Sequence, residues 1–180
     1  RVHMAGEQEV KNAIDAALSA HKGWSTMPWE ARAAIFLKAS ELLKGEYRAK
    51  INASTMINQS KTCHQAEIDS ACELIDFWRF NAQYAREIYE DLQPPVSPSS
   101  MWNSSEIRPL EGFVFSVTPF NFSSIAANLP SSAAIMGNTG VWKPSRNSYL
   151  SNYYLMRLMM DAGLPDGVIN FIPGKASMVG

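Results

Sequence analysis

Three short polar segments in the second half of the chain carry the side chains that could do chemistry. They are Thr118-Pro119-Phe120-Asn121, Lys143-Pro144-Ser145 and Gly174-Lys175, and each follows a short apolar run. Such runs are typical of buried strands. In open α/β sheets, ligands bind beyond the carboxyl ends of the strands. We therefore take these three segments as the candidate site.

Asn121 has two interpretations from its neighbours alone. It stands between two phenylalanines, and a carboxamide in that setting has donors and an acceptor to satisfy. It could cap the helix that is predicted to start at Ser123. It could also donate to an oxyanion that develops during a reaction.

Lys143 is equally open, since a lysine between a strand and a proline is either a solvated surface residue or a ligand contact. The chain has no Gly-rich dinucleotide fingerprint and no phosphate-binding lysine loop of the Walker type. If a nucleotide binds here, a different scheme must hold it.

The cysteines, Cys63 and Cys72, do not form a metal or nucleophile pattern. Their spacing fits no zinc site, and we expect no metal. Cys63 stands next to His64, but adjacent side chains on a helix diverge, so an activated thiolate is not expected there. Cys72 falls on the apolar side of a predicted helix and is expected to pack in the core. We expect a reduced, intracellular protein.

The composition excludes several classes of protein. The chain has 180 residues, of which 46% are apolar and 18% charged, so it can form a core. The net charge of −1 gives no electrostatic reason to bind nucleic acid or an anionic membrane. No run approaches the roughly 18 apolar residues of a membrane span. The first residues are neither a start nor a signal peptide, so we expect the chain to begin within a longer protein.

The elements that must position these residues fall into two halves. Helices are predicted around residues 10–17, between 28 and 45, and over 65–89, where Trp78 and Phe80 are expected in the core. Prolines exclude a helix in the connection that follows. Beyond residue 112, strands and helices then alternate: 113–117, 123–136, 139–142, 148–162 and 168–172. This alternation predicts a parallel sheet covered by helices.

Four segments, in this order, resemble motifs of the aldehyde dehydrogenase superfamily: Thr118-Pro119-Phe120-Asn121-Phe122, Met136-Gly137-Asn138, Trp142-Lys143-Pro144-Ser145 and the run over 162–170. Each is weak alone, but together they are highly specific, and the resemblance covers essentially the whole chain. The form Pro119-Phe120-Asn121-Phe122 stands where many relatives carry a Trp. With the segments over 65–80 and 109–113, it indicates the branch that oxidises L-glutamate γ-semialdehyde to L-glutamate in proline degradation.

The resemblance implies an α/β fold that these residues contain only in part. Residues 1–90 would be amino-terminal helices of the cofactor-binding domain. Residues 91–111 would be a Pro/Ser-rich connection and part of an oligomerisation ribbon. Residues 112–180 would start a Rossmann-like NAD-binding sheet. The catalytic domain, the nucleophilic cysteine and the general-base glutamate are expected after Gly180, so these residues alone should be inactive.

The same resemblance implies roles for individual residues. In the family a cysteine thiolate attacks the aldehyde, hydride passes to the nicotinamide, and a glutamate activates water to release the acid. Asn121 would donate to the oxyanion. The remaining candidates are cofactor contacts (Thr118, Pro119, Lys143, Ser145 and Arg146) and aldehyde-pocket residues (Phe122 and Glu73).

Arg146 departs from many NAD-using relatives, which carry an acidic residue at this position. Arginine cannot accept a hydrogen bond from ribose but can pair with a phosphate, so we expect NAD with NADP tolerated. Alternatively, Arg146 points into solvent. We further expect a small-molecule aldehyde substrate, a homo-oligomer, and a cytoplasmic location, or the mitochondrial matrix for a eukaryotic source. The alternatives are a non-catalytic fragment that binds nucleotide or another subunit, and another aldehyde dehydrogenase branch.

Overall fold

The computed structural model describes residues 2–92, 94 and 96–179, so Gln93 and Pro95 of the proline-rich connection lie outside the described residues. The first part is helical, as the sequence predicts. In chain order its helices are α1 (Glu7–Ser25), α2 (Trp29–Lys44), α3 (Arg48–Gln59), α4 (Cys63–Ala66) and α5 (Glu73–Arg86). π-helical turns over Glu67–Cys72 and Glu87–Asp91 make residues 63–91 one continuous helical run. None of the described helices is long and apolar enough to cross a membrane.

A three-stranded parallel sheet with the order β1-β2-β3 forms the second part. A short 3₁₀ turn, Arg146–Ser148, precedes α7. The elements are β1 (Val114–Val117), α6 (Ser123–Ile135), β2 (Gly140–Lys143), α7 (Tyr149–Ala162), β3 (Ile169–Phe171) and α8 (Ala176–Val179). The predicted alternation of strands and helices is therefore confirmed, with boundaries shifted by one or two residues.

Two helices, α3 and the short α8, have no counterpart in the prediction. The buried positions of α3 are Ile51, Ser54 and Thr55, and two of these are polar. A search for apolar residues at helical spacing misses such a helix, because hydroxyl groups occupy part of its buried face.

The core prediction is right for Trp78 and wrong for Phe80. Trp78 is 0% exposed and packs with Phe36, whereas Phe80 is 56% exposed. Two residues along an α-helix correspond to a rotation of about 200°, so the two side chains must point to nearly opposite sides.

Cys72 is half-buried at a polar edge, so its predicted place in the core is wrong. It ends the π-helical turn Glu67–Cys72, and the wider π turn breaks the 3.6-residue spacing from which its face was predicted. Its Sγ lies 3.5 Å from Oε1 of Glu67 and 3.6 Å from Nη2 of Arg48.

Helix α6 runs through the middle of the molecule, and side chains from the first part complete its carboxyl-terminal end. The indole Nε1 of Trp24 donates to the carbonyl oxygen of Ala134 at 2.9 Å. Nε of Arg32 donates to the carbonyl oxygen of Ile135 at 3.0 Å. The last carbonyls of a helix have no partner within the helix, so α1 and α2 supply the donors that α6 lacks.

Arg32 is a buried cation, 2% exposed, that makes no ion pair within the described part of the chain. Besides Ile135, its guanidinium donates to the carbonyl oxygen of Met27 and to the hydroxyl of Tyr89. Carbonyl dipoles, including those at the negative end of α6, therefore stabilise its charge.

We expect Arg32→Met to lower the free energy of unfolding by about 2–4 kcal/mol, because buried carbonyls lose their donors. Urea unfolding followed by tryptophan fluorescence measures the change. Arg79→Met is the matched control: its ion pair with Glu41 is exposed (43% and 61%), and such pairs contribute about 0–1 kcal/mol. Equal losses in the two variants would contradict the role assigned to Arg32.

Candidate functional site

The three polar segments leave the sheet side by side, as predicted. Val117 pairs with Lys143 in the sheet register. The backbone nitrogen of Thr118 donates to the carbonyl oxygen of Lys143 at 3.2 Å. The nitrogen of Ile172 donates to the carbonyl oxygen of Trp142 at 2.9 Å. The turns after β1, β2 and β3 therefore share one edge of the sheet, called the carboxyl edge below.

Trp142 fixes this edge from within. Its ring is fully buried and meets Phe171 edge-on at a centroid distance of 5.0 Å. Its indole Nε1 donates to Oγ1 of Thr118 at 2.9 Å, and Thr118 is only 4% exposed. One side chain on the middle strand thus links the turn after β1 to the last residue of β3.

Asn121 is exposed, and its carboxamide makes no hydrogen bond to any described residue. The cap of α6 is Phe122, and no side-chain hydrogen bond is made at this cap. The interpretation of Asn121 as a helix cap is therefore wrong. Its donors face outward, two residues before a helix amino terminus, and can meet a ligand.

Phe122 is half-buried, and a cation covers its ring. Nζ of Lys61 lies 4.2 Å from the ring centroid, which is a cation–π contact. Lys61 also pairs with Asp69, and both side chains are mostly buried (12% and 17% exposed). The sequence around Phe122 does not predict these contacts, because Lys61 and Asp69 come from the helical half.

The first turn of α6 is held by hydroxyl contacts from the same half. Oγ of Ser123 lies 3.0 Å from Nε2 of Gln59, which donates to it, and 3.2 Å from Oγ1 of Thr55. Oγ of Ser124 donates to the carboxylate of Glu73. Glu73 thus lies against the amino terminus of α6, where the helix dipole favours a negative charge.

After β2, three polar side chains follow one another with few internal partners. Nζ of Lys143 lies 3.5 Å from the carbonyl oxygen of Pro144. Ser145 is half-buried and Arg146 is exposed. Neither Lys143 nor Arg146 is ion-paired among residues 2–92, 94 and 96–179. This turn can therefore donate hydrogen bonds to hydroxyl or phosphate groups.

The turn after β3 packs against α7. The hydroxyl of Tyr149 donates to the carbonyl oxygen of Gly174 at 3.2 Å. Burial raises the pKa of the Tyr149 hydroxyl, so it stays a donor at neutral pH. An open apolar cavity of about 610 Å³ lies here, lined in part by Tyr149, Phe171 and Pro173. Lys175 is exposed.

Neither cysteine lies in the turns of the carboxyl edge. Cys63 is exposed at the start of α4 beside the exposed His64. Burial, with a further contribution from the hydrogen bond to Glu67, raises the pKa of the Cys72 thiol. A raised pKa keeps the thiol protonated and unreactive at neutral pH. No metal-ligating group of three or more His, Cys, Asp or Glu residues occurs in the described part of the chain.

Residues 1–180 match the model of the aldehyde dehydrogenase family. The chain is 51% identical over 177 residues to delta-1-pyrroline-5-carboxylate dehydrogenase of Agaricus bisporus, covering 98% of this chain and 32% of that protein. It is 47% identical over 176 residues to the mitochondrial delta-1-pyrroline-5-carboxylate dehydrogenase of Homo sapiens, covering 98% and 31%.

The fold is also found in solved structures. The delta-pyrroline-5-carboxylate dehydrogenase from Mycobacterium tuberculosis, solved with bound NAD, superposes with a TM-score of 0.95 at 50% identity, covering 99% of this chain and 33% of that one. A 1-pyrroline-5-carboxylate dehydrogenase from Thermus with bound NAD gives 0.91 at 29% identity, covering 98% and 34%. The chain thus spans about a third of the length of these relatives.

The two thiols should differ in reactivity. At pH 7 we expect iodoacetamide to modify Cys63 first, because Cys72 is half-buried and its pKa is raised. Modification of Cys72 should increase only as the pH rises above the ordinary thiol range. Glu67→Gln should lower the pKa of Cys72 and speed its reaction. Mass spectrometry of the alkylated peptides measures both rates, and equal rates at pH 7 would contradict the assigned environments.

Proposed function

The chain belongs to the aldehyde dehydrogenase family, and we propose that it is part of an enzyme that oxidises L-glutamate γ-semialdehyde to L-glutamate with NAD, a step of proline degradation. The observation that carries this proposal is the carboxyl edge. There the unbonded carboxamide of Asn121 and the unpaired cation of Lys143 follow paired strand ends. The relatives named above and their NAD-bound structures support the substrate and the cofactor.

In this proposal Asn121 donates a hydrogen bond to the oxyanion that forms when a thiolate adds to the aldehyde carbon. Its carboxamide makes no hydrogen bond within the described residues that would have to break first, and the turn that carries it is anchored by the buried Thr118, so little reorganisation is needed. Phe122 forms an apolar wall of the aldehyde pocket, and Glu73 acts next to it by holding Ser124. The thiolate is proposed to come from outside these residues.

The turn after β2 fits the polar part of a dinucleotide. Lys143 and Ser145 donate to ribose hydroxyls, Arg146 lies where a phosphate can approach, and Thr118 and Pro119 form the adjoining wall. NAD held by these residues would supply the hydride acceptor for the oxidation. NAD is the proposed main cofactor, with NADP tolerated.

The proposed division of the chain has three parts. Residues 1–90 are helices of the cofactor-binding domain, 91–111 are a connection and oligomerisation ribbon, and 112–180 are the start of the NAD-binding sheet. Trp102 is 91% exposed and Met101 66% exposed, as expected of a segment that contacts another subunit. A homo-oligomer is therefore proposed, acting on a small-molecule aldehyde.

The proposed compartment is the cytoplasm, with the mitochondrial matrix as the alternative for a eukaryotic source. Relatives from Homo sapiens and Dictyostelium discoideum are named as mitochondrial, which supports the alternative. A second candidate function is a non-catalytic fragment that binds nucleotide or another subunit. The described residues favour it in that they offer hydrogen-bond donors at the carboxyl edge, whereas neither Cys63 nor Cys72 lies there.

A measurement of enzymatic turnover distinguishes the dehydrogenase from the non-catalytic fragment. We expect an enzyme that joins residues 1–180 to the remainder of a relative to form NADH from glutamate semialdehyde, with a higher kcat/KM than for acetaldehyde. The 180 residues alone should form none. Equal kcat/KM values would place the protein in another branch of the family. NADH formation by the verified 180-residue chain would contradict the need for an outside thiolate.

Asn121→Ala in that joined enzyme should lower kcat by about 10²–10³, which corresponds to roughly 3–4 kcal/mol, because one oriented oxyanion donor is lost. The Kd for NAD should stay unchanged. Asn12→Ala, which removes a surface carboxamide from α1, serves as the control. A kcat for Asn121→Ala close to that of the control would remove Asn121 from the mechanism.

Arg146→Glu should lower kcat/KM for NADP relative to NAD, because a carboxylate repels the 2′-phosphate. The exposed side chain limits the effect to about 0–1 kcal/mol, or at most roughly fivefold. Arg157→Glu on α7 makes the same change in charge and is the control, since Arg157 is exposed but lies outside the turn after β2. An unchanged NADP/NAD ratio in Arg146→Glu would mean that this side chain plays no part in cofactor choice.

A further inference from the structure

The end of α3 contacts the first turns of both helices that follow the carboxyl edge. Oδ1 of Asn58 accepts from the backbone nitrogen of Leu150 at 2.7 Å and from that of Ser151 at 3.4 Å, both in α7. Nε2 of the next residue, Gln59, donates to Oγ of Ser123 in α6 at 3.0 Å. Two successive side chains of one helix therefore hold the beginnings of two others.

The contact at α7 replaces a cap that this helix lacks locally. Phe122 is the N-cap residue of α6 and Ser148 that of α7, and at neither position does the side chain accept from a backbone N–H of the following turn. The first N–H groups of a helix have no acceptor within the helix. At α7 the side-chain oxygen Oδ1 of Asn58 supplies that acceptor from a distant part of the chain. At α6 the side chain of Gln59 supplies no acceptor and instead donates to the hydroxyl of Ser123 in the first turn.

The chain then turns toward the site at the same point. Ser60 ends α3 in the left-handed conformation, with a φ of 53°. The next residue, Lys61, reaches the ring of Phe122, which directly follows Asn121. Residues 58–61 thus touch α7, α6 and the residue beside the oxyanion donor in turn, and we call this segment the α3 clamp.

The sequence links the clamp to the two site turns. Helix α6 begins two residues after Asn121, and α7 begins three residues after Arg146. A displacement of either first turn must therefore displace the polar turn that precedes it. The clamp is the element that joins both first turns to one helix.

We propose that Asn58 and Gln59 are positioning residues that set the spacing between the turn carrying Asn121 and the turn carrying Lys143 and Arg146. This inference rests on the proposed function, because that function assigns the oxyanion to the first turn and the cofactor to the second. Neither residue contacts substrate or cofactor. Asn58 acts through α7, and Gln59 acts through α6.

The test uses the joined enzyme and a split between KM and kcat. Asn58→Leu keeps the volume but removes the acceptor, and should raise KM for NAD on the order of tenfold with kcat nearly retained. Asn58→Asp keeps an acceptor at the helix amino terminus and should restore the KM. Gln59→Met removes the donor to Ser123 and should lower kcat on the order of tenfold with little change in KM for NAD.

Trp24→Phe is the matched control for loss of stability. It also removes one buried hydrogen bond to α6, but at the end of the helix opposite Asn121. It should lower Tm as Gln59→Met does, yet leave kcat and KM unchanged. The positioning role is overturned if the clamp variants change kinetics no more than Trp24→Phe, if both parameters change together, or if Asn58→Asp fails to restore KM.

Failure of the proposed function has a separate signature, because it would appear in the unsubstituted enzyme. If that enzyme oxidises a different aldehyde, the glutamate assignment is lost, and the same comparison of variants on that aldehyde still decides the positioning role. If it oxidises no aldehyde with NAD, both proposals are overturned.

Discussion

A helix buried on nearly every side needs hydrogen-bond partners at both ends, and the rest of this structure depends on meeting that need for α6. Buried N–H and C=O groups without partners are costly. Water cannot reach much of α6, because its serines and alanines are among the most buried residues of the chain. Trp24 and Arg32 donate hydrogen bonds to the backbone carbonyls at the carboxyl-terminal end. Gln59 donates to the hydroxyl of Ser123 at the amino-terminal end. The helical half is therefore a structural requirement of the sheet half.

The same contacts explain why stability and site geometry are joined in this molecule. The amino terminus of α6 directly follows the turn of Asn121, so whatever fixes the first turn of α6 also fixes the turn of Asn121. On the next strand, Trp142 ties its own buried ring to Thr118. Asn58 supplies the acceptor for α7 beyond the turn of Lys143. The side chains of Asn121 and Arg146 make no hydrogen bond or ion pair within the described residues, because other residues hold the turns around them.

The described residues provide hydrogen-bond donors at the carboxyl edge, but neither of their cysteines lies there. The thiol of Cys72 is held protonated by burial and by Glu67, and Cys63 lies at the start of α4 rather than in the turns of the carboxyl edge. This agrees with a chain that spans about a third of the length of its relatives. A catalytic centre assembled from widely separated segments allows one segment to hold the oxyanion donor while another holds the thiolate.

The sequence by itself determined the elements and their order, apart from α3 and the short α8. Apolar spacing marks α1, α2 and α5, short apolar runs mark the three strands, and polar residues at the strand ends mark Asn121 and Lys143. These signals are local, because they follow from the period of a helix or strand and from the residues that end it. The order of the four motifs is also read from local sequence, and it was sufficient to identify the family.

Only the tertiary structure decided which polar side chains hold the site. The contacts of Trp24 with Ala134 and of Asn58 with Leu150 span 110 and 92 residues. Helix α3 escaped prediction because its buried face is partly polar, and Cys72 was misplaced because a π turn breaks the helical period. Such partners are set by how the helices pack against one another. No local pattern records that packing, because a buried Asn or Gln looks the same in sequence whether or not an unpaired helix end lies beside it.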